Sequence, residues 1–144
     1  MLKLSTKGRY GARLMLNLAR HHADGEESVI LRNISTEEDI SIRYLEQIII
    51  PLKINKLVKS TRGAGGGYAL NVHPSKIKLL EIIEILEGDI SLVDCVDDED
   101  CCERRKDCST FPLWKEASKI LKGYFSSITL QQLLEKSNKK QKKK

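Results

Sequence analysis

The feature that most constrains the fold is a run of small residues at positions 63–67, Gly-Ala-Gly-Gly-Gly, near the middle of the chain. Glycine costs roughly 1 kcal/mol more than alanine inside a helix and also weakens a strand, so this run predicts a turn or loop. Residues 57–62 before it and 68–70 after it are β-prone. The segment therefore predicts a short β-hairpin with a flexible tip, to which Arg62 adds a positive charge.

The segments before this hairpin have the order of a helix-turn-helix. Apolar side chains recur at helical spacing in residues 5–20, and a short second helix is predicted at about residues 29–38. Ser41 has the side chain that a helix N-cap requires. The third helix has apolar side chains at positions 42, 45, 48, 49 and 52, and Pro51 ends or bends it. Helix, helix, tight turn, helix and hairpin together predict a winged helix.

The second half of the chain is predicted to be helical apart from one long acidic loop. A helix at residues 76–86 ends at Gly88, and residues 91–110 form a loop that contains all four cysteines. Residues 112–125 repeat apolar side chains at helical spacing, and a short helix is predicted at 129–136. This second half therefore consists of helices that flank a cysteine-bearing loop.

The net charge of +5 depends mainly on the C-terminal tail, because residues 136–144 contain six lysines and neither an acidic nor an apolar residue. We expect this tail to be disordered and solvated rather than an arm that contacts DNA, so the charge of the whole chain gives weak support for nucleic-acid binding. Two local clusters give stronger support. Residues 1–20 carry five basic groups and no acid, and residues 41–62 carry five basic groups against one acid. Localised positive charge is typical of a surface that contacts phosphates.

Composition also limits the class of protein. A chain of 144 residues suits one compact domain, alone or with an oligomerisation arm. No window is apolar enough to span a membrane, and basic residues interrupt the N-terminal segment, so we expect a cytoplasmic protein with no membrane partner. The glycine run lacks the lysine of a phosphate-binding loop, and no nucleophile–base pair stands out, so we expect that the protein is not an enzyme.

The polar face of the third helix is the predicted base-reading surface. In a helix-turn-helix the second helix enters the major groove, where Arg pairs with guanine, Gln with adenine, and Glu accepts from cytosine. The hairpin tip is predicted to enter a minor groove, and its glycines allow close approach to DNA. The predicted DNA-binding residues are Ser41, Arg43, Tyr44, Glu46, Gln47, Lys59, Arg62, Gly65 and Gly66. An ordinary polar surface helix and a winged helix that binds protein remain alternatives.

The cysteines of the acidic loop lie close together in sequence, at Cys95, Cys101, Cys102 and Cys108. Cytosolic thiols are kept reduced, so the cluster indicates metal or redox chemistry before structural disulfides. The spacing is looser than the paired CxxC motifs of a zinc ribbon, which favours an iron–sulfur cluster over zinc. Acidic neighbours raise thiol pKa values and disfavour a metal-free redox thiol. A zinc or thiol-redox sensor and an iron–sulfur electron carrier remain alternatives.

Four segments carry recognisable motifs: residues 3–11 (KLSTKGRYG), 44–47 (YLEQ), 57–68 (LVKSTRGAGGGY) and 86–88 (LEG). Their combination resembles the IscR/NsrR/CymR-type family of bacterial winged helix-turn-helix transcription regulators, over about residues 2–135. Ala64 departs from the pattern, because the family often has proline there. The resemblance implies a homodimer whose long helix near residues 112–125 crosses its partner, bound to a palindromic operator in double-stranded DNA.

The resemblance also implies which cysteines hold a cluster. Cluster-binding members carry three cysteines in this loop, which here selects Cys95, Cys102 and Cys108, with Cys101 spare or in place of Cys102. We expect a [2Fe–2S] cluster rather than [4Fe–4S], with zinc as the alternative.

The fourth ligand is not determined by this resemblance. Some members have a histidine three residues after the last cysteine, where this chain has Phe111. Others use a carboxylate in the first helix, where this chain has Arg9. Neither side chain is suited to bind iron here. Cys101 is therefore the first candidate, ahead of Asp107, Glu103 or a small thiol from solution.

Together these expectations describe a mainly α fold with a small β-hairpin wing. The predicted divisions are a winged helix-turn-helix DNA-binding domain at 1–90, a cysteine-bearing sensor loop at 91–110, the dimerisation helix and a C-terminal helix at 111–135, and the disordered tail at 136–144. The predicted function is a dimeric transcriptional regulator, most simply a repressor, whose DNA affinity is set by an iron–sulfur cluster.

Overall fold

The computed structural model describes residues 3–144; Met1 and Leu2, the first residues of the predicted DNA-binding domain, lie outside the described residues. Within residues 3–144 the elements are α1 Thr6–Ala23, α2 Leu31–Glu38, α3 Ile42–Ile54, β1 Val58–Thr61, β2 Gly67–Leu70, α4 Leu79–Glu87, α5 Phe111–Ser126 and α6 Leu130–Lys142. The fold is mainly α-helical with one β-hairpin, as predicted. None of the helices described combines the length and the apolar content that a membrane span requires.

Helix α1 lies at the centre of the domain and packs closely against α4. Its buried face includes residues that the periodicity predicted, namely Gly11, Leu14, Met15 and Leu18. A Cβ at Gly8 would lie 2.3 Å from Glu87 Oε1, and a Cβ at Gly11 would lie 1.9 Å from Leu86 Cδ1. The two glycines therefore permit a close approach of α4 that no larger residue would allow without movement.

Helices α2 and α3 form the predicted helix-turn-helix. Asp39 adopts a left-handed conformation in the turn between them, with φ of 52°. Ser41 caps α3 as predicted, because its side chain accepts a 3.2 Å hydrogen bond from the backbone of Tyr44. Pro51 does not end α3, which continues to Ile54, since the core holds the helix on both sides of the proline. The side chains that face this core are Leu45, Ile48, Ile49 and Leu52.

The β-hairpin forms the predicted wing and is anchored to the chain before α2. Its strands pair antiparallel, with Val58 opposite Leu70. Val29 forms two backbone hydrogen bonds with Tyr68, each 2.8 Å long. Gly67 is required beside this bridge, because a Cβ there would lie 2.4 Å from the Val29 carbonyl oxygen. The wing is therefore held at its base although its tip is rich in glycine.

The helix predicted at residues 76–86 is α4, and it begins only at Leu79. The residues just before it are extended. The Ile77 carbonyl accepts a 2.8 Å hydrogen bond from the backbone of Leu130, and the Leu79 backbone donates a 2.9 Å bond to Ile128. Backbone hydrogen bonds to residues 128–130 thus replace the first helical turn that was predicted at residues 76–78.

The prediction that residues 136–144 are disordered is wrong for most of the tail, because α6 continues to Lys142. Thr129 and Gln132 form a capping box that starts the helix. Leu130 and Leu134 bury the first turns of α6 against the domain. The following residues include no glycine or proline and are mostly good helix formers, so propagation from an anchored start costs little.

Candidate DNA-binding surface and cysteine loop

The outward face of α3 carries the predicted base-reading side chains, and these make no polar contacts with the rest of the described fold. Arg43, Glu46 and Gln47 are exposed. Within residues 3–144 none of these three side chains takes part in a hydrogen bond or ion pair of the fold. Their donors and acceptors are therefore free to meet an external partner, as base reading requires.

Tyr44 and Ser41 have structural roles beside any contact with DNA. Tyr44 is half-buried and packs edge-on against Tyr10 of α1, with 5.7 Å between ring centroids. Ser41 uses its side-chain oxygen as the N-cap of α3. Ser41 therefore fixes the start of α3, as predicted, and Tyr44 ties this first turn to α1, which sequence periodicity alone did not indicate.

The wing carries Lys59 on β1 and Arg62 just beyond it, both exposed. The hydroxyl of Ser28 donates a 2.9 Å hydrogen bond to the Gly65 carbonyl, which fixes the tip. Gly66 is required by the turn itself, because a Cβ there would lie 2.6 Å from the Thr61 carbonyl oxygen. Gly65 and Gly63 have open space around a Cβ, so these two glycines leave room for a close external approach.

The basic cluster of residues 1–20 is partly neutralised inside the domain. Glu38 lies between Arg13, with Nε 3.3 Å from Oε2, and Arg20, with Nη1 3.1 Å from Oε1. Arg13 also lies over the ring of Tyr10 at 5.3 Å from its centroid. These two arginines join α1 to α2, so the inference that the whole N-terminal cluster contacts phosphate is too broad.

Glu87, at the C-terminal end of α4, is a functional candidate that sequence reasoning missed. Its Oε1 accepts hydrogen bonds from the Ser5 backbone at 3.0 Å, the Ser5 hydroxyl at 2.5 Å and the Gly8 backbone at 3.0 Å. A carboxylate here satisfies free N–H groups of α1 and interacts favourably with its positive end. No local signal could have identified this contact, because its partners are distant in sequence.

The cysteine loop, defined here as residues 88–110, is attached to α5 by two side chains. The buried hydroxyl of Ser118 accepts a 3.0 Å hydrogen bond from the backbone of Leu92. Lys122 Nζ lies 2.5 Å from Asp89 Oδ1 and 3.6 Å from Asp97 Oδ1. These hydrogen bonds lower the pKa of Asp89 and raise that of Lys122, so the pair stays ionised.

Arg105 organises the interior of the cysteine loop. Its Nε donates a 2.7 Å hydrogen bond to the Cys95 carbonyl, and its Nη1 lies 3.2 Å from Glu99 Oε1. Its guanidinium lies 4.6 Å from the ring centroid of Phe111, the first residue of α5. Phe111 thus packs against Arg105 at the position where a family histidine would bind iron.

The thiols of the loop differ in exposure and in acidity. Cys95 and Cys108 are half-buried, whereas Cys101 and Cys102 are exposed. Hydrogen bonds from the Thr110 side chain and backbone are the main cause of a lowered pKa at Cys108. Desolvation and the charge of Asp98 raise the pKa of Cys101. The expected effect of acidic neighbours therefore applies to Cys101 and fails at Cys108, which lies at the start of α5.

The four thiols fit a soft metal by their chemistry but are not arranged around a common point. Across residues 3–144, no three His, Cys, Asp or Glu side chains stand close enough together to hold a metal ion. All four cysteines are free thiols on one loop. Thiolates are the ligands of iron–sulfur clusters, so the donor set suits a cluster and the loop would have to rearrange to hold it.

Helix α5 leaves most of its apolar face uncovered. Leu113 is 57% exposed, Ile120 66% and Tyr124 60%, and the adjacent Trp114 is 37% exposed. Ser118 is the only residue of α5 that is fully buried. The apolar stripe predicted at residues 112–125 therefore packs into its own domain only in part, through half-buried Ala117, Leu121 and Phe125.

Comparison with known proteins identifies the family. A family model named Rrf2 and described as an iron-dependent transcriptional regulator matches residues 4–136. The chain belongs to the Rrf2 family. The HTH-type transcriptional regulator CymR of Bacillus subtilis is 41% identical over 132 residues, which cover 92% of this chain and 89% of that protein. IscR of Photorhabdus laumondii is 38% identical over 133 residues, which cover 92% and 79%.

Solved structures agree with this assignment. CymR, described as the global cysteine regulator of B. subtilis, matches with a TM-score of 0.76 and 40% identity, over 94% of this chain and 98% of that chain. IscR of T. potens matches with a TM-score of 0.76 and 36% identity, over 94% and 88%. The chain is therefore a DNA-binding transcriptional regulator of the CymR and IscR type, and not an enzyme.

Proposed function

We propose that this Rrf2 protein is a homodimeric repressor whose affinity for a palindromic operator depends on an iron–sulfur cluster in the cysteine loop. The observation that carries the proposal is the position of the loop. It begins directly after Glu87, whose carboxylate accepts hydrogen bonds from the first residues of α1, and it ends at α5, whose apolar face is largely uncovered. A change in the loop therefore acts on the core of the DNA-binding domain and on the dimer surface together.

The operator contacts are assigned to α3 and the wing. Arg43, Glu46 and Gln47 read base edges in the major groove, because their polar groups have no partner within the fold described above. Ser41, Tyr44 and Lys59 contact phosphates, since such contacts fix the register of a protein on DNA. Arg62 enters the minor groove, and the open space at Gly65, with the tight turn at Gly66, brings the wing backbone near it.

The uncovered face of α5 supports the dimer. Leu113, Ile120 and Tyr124 form an apolar surface that one protomer leaves in water, and a second copy crossing it would bury this surface. A two-fold dimer presents two α3 helices to DNA, which matches a palindromic operator.

The cluster is assigned to Cys95, Cys102 and Cys108, with Cys101 as the fourth ligand. Iron and sulfide would supply sensitivity to redox state and to iron–sulfur supply, and we favour [2Fe–2S] over [4Fe–4S] and over zinc. The protein's own contribution is to present the thiols and to transmit their arrangement. Arg105 holds the Cys95 carbonyl, and Ser118 and Lys122 tie the loop to α5.

A second candidate function is regulation by the thiols without a cluster. Cys108 has a lowered pKa because it accepts hydrogen bonds at the start of α5, and a more acidic thiol is more readily present as the reactive thiolate. The chain is as similar to CymR, described as a cysteine regulator, as it is to IscR. This candidate predicts a colourless protein whose DNA affinity responds to oxidants.

Anaerobic purification with iron, sulfide and zinc analysis separates the two candidates. We expect iron and sulfide in equal amounts and a visible absorption band, with a change in operator affinity when the cluster is removed. Cys102→Ser should lose the cluster, and Cys101→Ser shows whether that neighbour is also a ligand. Colourless protein without iron after anaerobic reconstitution would refute the cluster. Equal operator affinity with and without the cluster would refute the switch.

The DNA contacts are tested by charge reversal. Arg43→Glu combined with Arg62→Glu should abolish operator binding, because it replaces two attractive contacts by repulsion of the phosphates. The same change in net charge at Lys140 and Lys142, in the C-terminal part of α6, is the matched control and should weaken binding far less. Unchanged affinity of the first variant would refute the assignment of α3 and the wing.

A further inference from the structure

The exposed face of α3 continues beyond its polar residues with two large apolar side chains. Ile50 is 55% exposed and Ile54 is 72% exposed, although the core-facing apolar residues of the same helix are almost fully buried. Neither isoleucine belongs to the core cluster of the domain. Large apolar residues thus extend the surface that begins with Arg43, Glu46 and Gln47.

Helical geometry puts Ile50 within the base-reading stripe. At 3.6 residues per turn, Ile50 lies almost two turns after Arg43 and in angle between Glu46 and Gln47. Its Cα is about 4.5–6 Å further along the helix axis than theirs, because each residue adds about 1.5 Å. Successive base pairs are about 3.4 Å apart along the DNA axis, so with α3 inclined in the groove Ile50 faces a base pair next to those that Glu46 and Gln47 meet.

The chemistry of the major groove offers one apolar feature to such a side chain. Thymine alone among the four bases presents a methyl group there, at C5, and apolar side chains contact it. The surroundings of Ile50 favour DNA over a protein partner, because Arg43 and Lys53 are exposed on the same helix and Lys59 and Arg62 on the wing. The face that would suit a second protein chain lies elsewhere, on α5.

We propose that Ile50 is a specificity-determining residue that packs against the C5 methyl of one thymine in each half-site. The assignment rests on the proposed operator binding through α3, and it specifies that the operator carries a thymine next to the bases read by Glu46 and Gln47. Burying one methyl group is worth about 0.8 kcal/mol, which is about fourfold in affinity per half-site. Two half-sites together give about 15-fold.

The experiment removes the methyl group and nothing else. An operator is first selected from a random DNA pool with the full-length protein, both as purified anaerobically and after cluster removal. Each thymine is then replaced in turn by deoxyuridine in both half-sites, and dissociation constants are measured at one salt concentration. We expect one symmetric position at which the replacement weakens wild-type binding about 15-fold.

The variants connect this methyl group to one side chain. Ile50→Ala should bind the thymine and uracil operators equally, while retaining the wild-type circular dichroism and thermal midpoint. Ile54→Ala is the matched control, because Ile54 is the last residue of α3 and lies a further turn, about 6 Å along the axis, away from the bases that Glu46 and Gln47 meet. It should keep the full sensitivity to uracil.

The outcomes that overturn the proposal are distinct. Wild-type tolerance of uracil at every position, or persistent sensitivity in Ile50→Ala, would overturn the thymine contact and leave operator binding intact. A selection that enriches no sequence in either form would overturn operator recognition itself, and the thymine contact with it.

Discussion

Glu87 provides the sharpest test of how the cysteine loop is connected to the DNA-binding domain. Its carboxylate accepts three hydrogen bonds from Ser5 and Gly8 at the start of α1. The N-cap of α1 is Ser5, whose side chain also accepts from the Gly8 backbone, so the Glu87 carboxylate adds to an existing cap. A hydrogen bond to a charged group contributes about 1.5–3 kcal/mol, and a carboxylate at a helix N-terminus about 0.3–1 kcal/mol. Because Glu87 is half-buried, Glu87→Ala should lower the free energy of unfolding by about 2 kcal/mol.

The size of the thermal effect follows from the length of the chain. An unfolding entropy of about 2.1 cal/mol/K per residue gives about 0.3 kcal/mol/K for a chain of this size. A loss of about 2 kcal/mol therefore lowers Tm by about 7 °C. Thermal unfolding should be followed by circular dichroism on metal-free protein at one protein concentration, because a bound metal or a partner subunit also shifts Tm.

Two variants make this result interpretable. Glu87→Gln keeps an acceptor but removes the charge, so it should lose about half as much stability as Glu87→Ala. Glu84→Ala, at an exposed position of the same helix, should change stability by less than about 0.5 kcal/mol. Equal losses for Glu87→Ala and Glu84→Ala would show that the carboxylate does not cap α1, and the proposed connection from loop to domain would fail.

Three further predictions concern other parts of the molecule. Burial opposes the charged form of His21, but hydrogen bonds to Glu37 and Glu26 outweigh it and raise the pKa of His21. The stability that charged His21 contributes is therefore complete below the unfolded-state pKa and is lost as pH rises through the folded-state pKa. Urea midpoints of wild type and His21→Gln should therefore differ most in mildly acidic buffer and converge at higher pH; a constant difference would contradict this. Ile120→Glu should yield monomers in analytical ultracentrifugation, whereas Lys119→Glu, exposed at the adjacent position, should remain dimeric. Phe111→His should slow the loss of iron to a chelator relative to Phe111→Leu, because only the histidine adds a ligand three residues after Cys108.

The fold was predictable where local signals and burial agree. Ser41 caps α3 because its side chain satisfies a free backbone N–H, and the glycine run becomes the wing because Gly63 adopts a φ of 103° that other residues avoid. Predictions from local sequence were wrong where contacts with a segment distant in sequence determine the backbone conformation. Ile77 is extended because it pairs with Leu130, and the lysine-rich tail is helical because Leu130 and Leu134 anchor its start.

The site was predictable only in part, because a list of charged residues does not show which charges are already paired. Arg43 and Arg62 carry the same charge as Arg13 and Arg20, yet the latter two are bound to Glu38. The sequence shows that Phe111 stands where some family members have a histidine ligand. Its contact with Arg105 can be seen only in the folded loop. Sequence reasoning did not select Ile50, because an isoleucine in a helix is normally assigned to the core. Only the exposure of its side chain in the structure distinguishes it from the core residues of α3.

The strength of the loop contacts limits how a switch can work. The half-exposed pair of Lys122 and Asp89 is worth about 0.2–1 kcal/mol, and the bond from Leu92 to Ser118 about 1 kcal/mol. The bond from Arg105 to the Cys95 carbonyl adds about 1.5 kcal/mol or more. Reversing a two-state equilibrium from 1:99 to 99:1 requires about 5.5 kcal/mol. The three loop contacts together contribute less than this, so a ligand that favours another loop conformation by about 5.5 kcal/mol or more would displace them. Metal–thiolate binding to a small structural site is worth about 10 kcal/mol or more, which exceeds their sum. A cluster bound this strongly would therefore be able to rearrange the loop, and we propose the contact from Glu87 to α1 as the point at which that rearrangement would reach the DNA-binding domain.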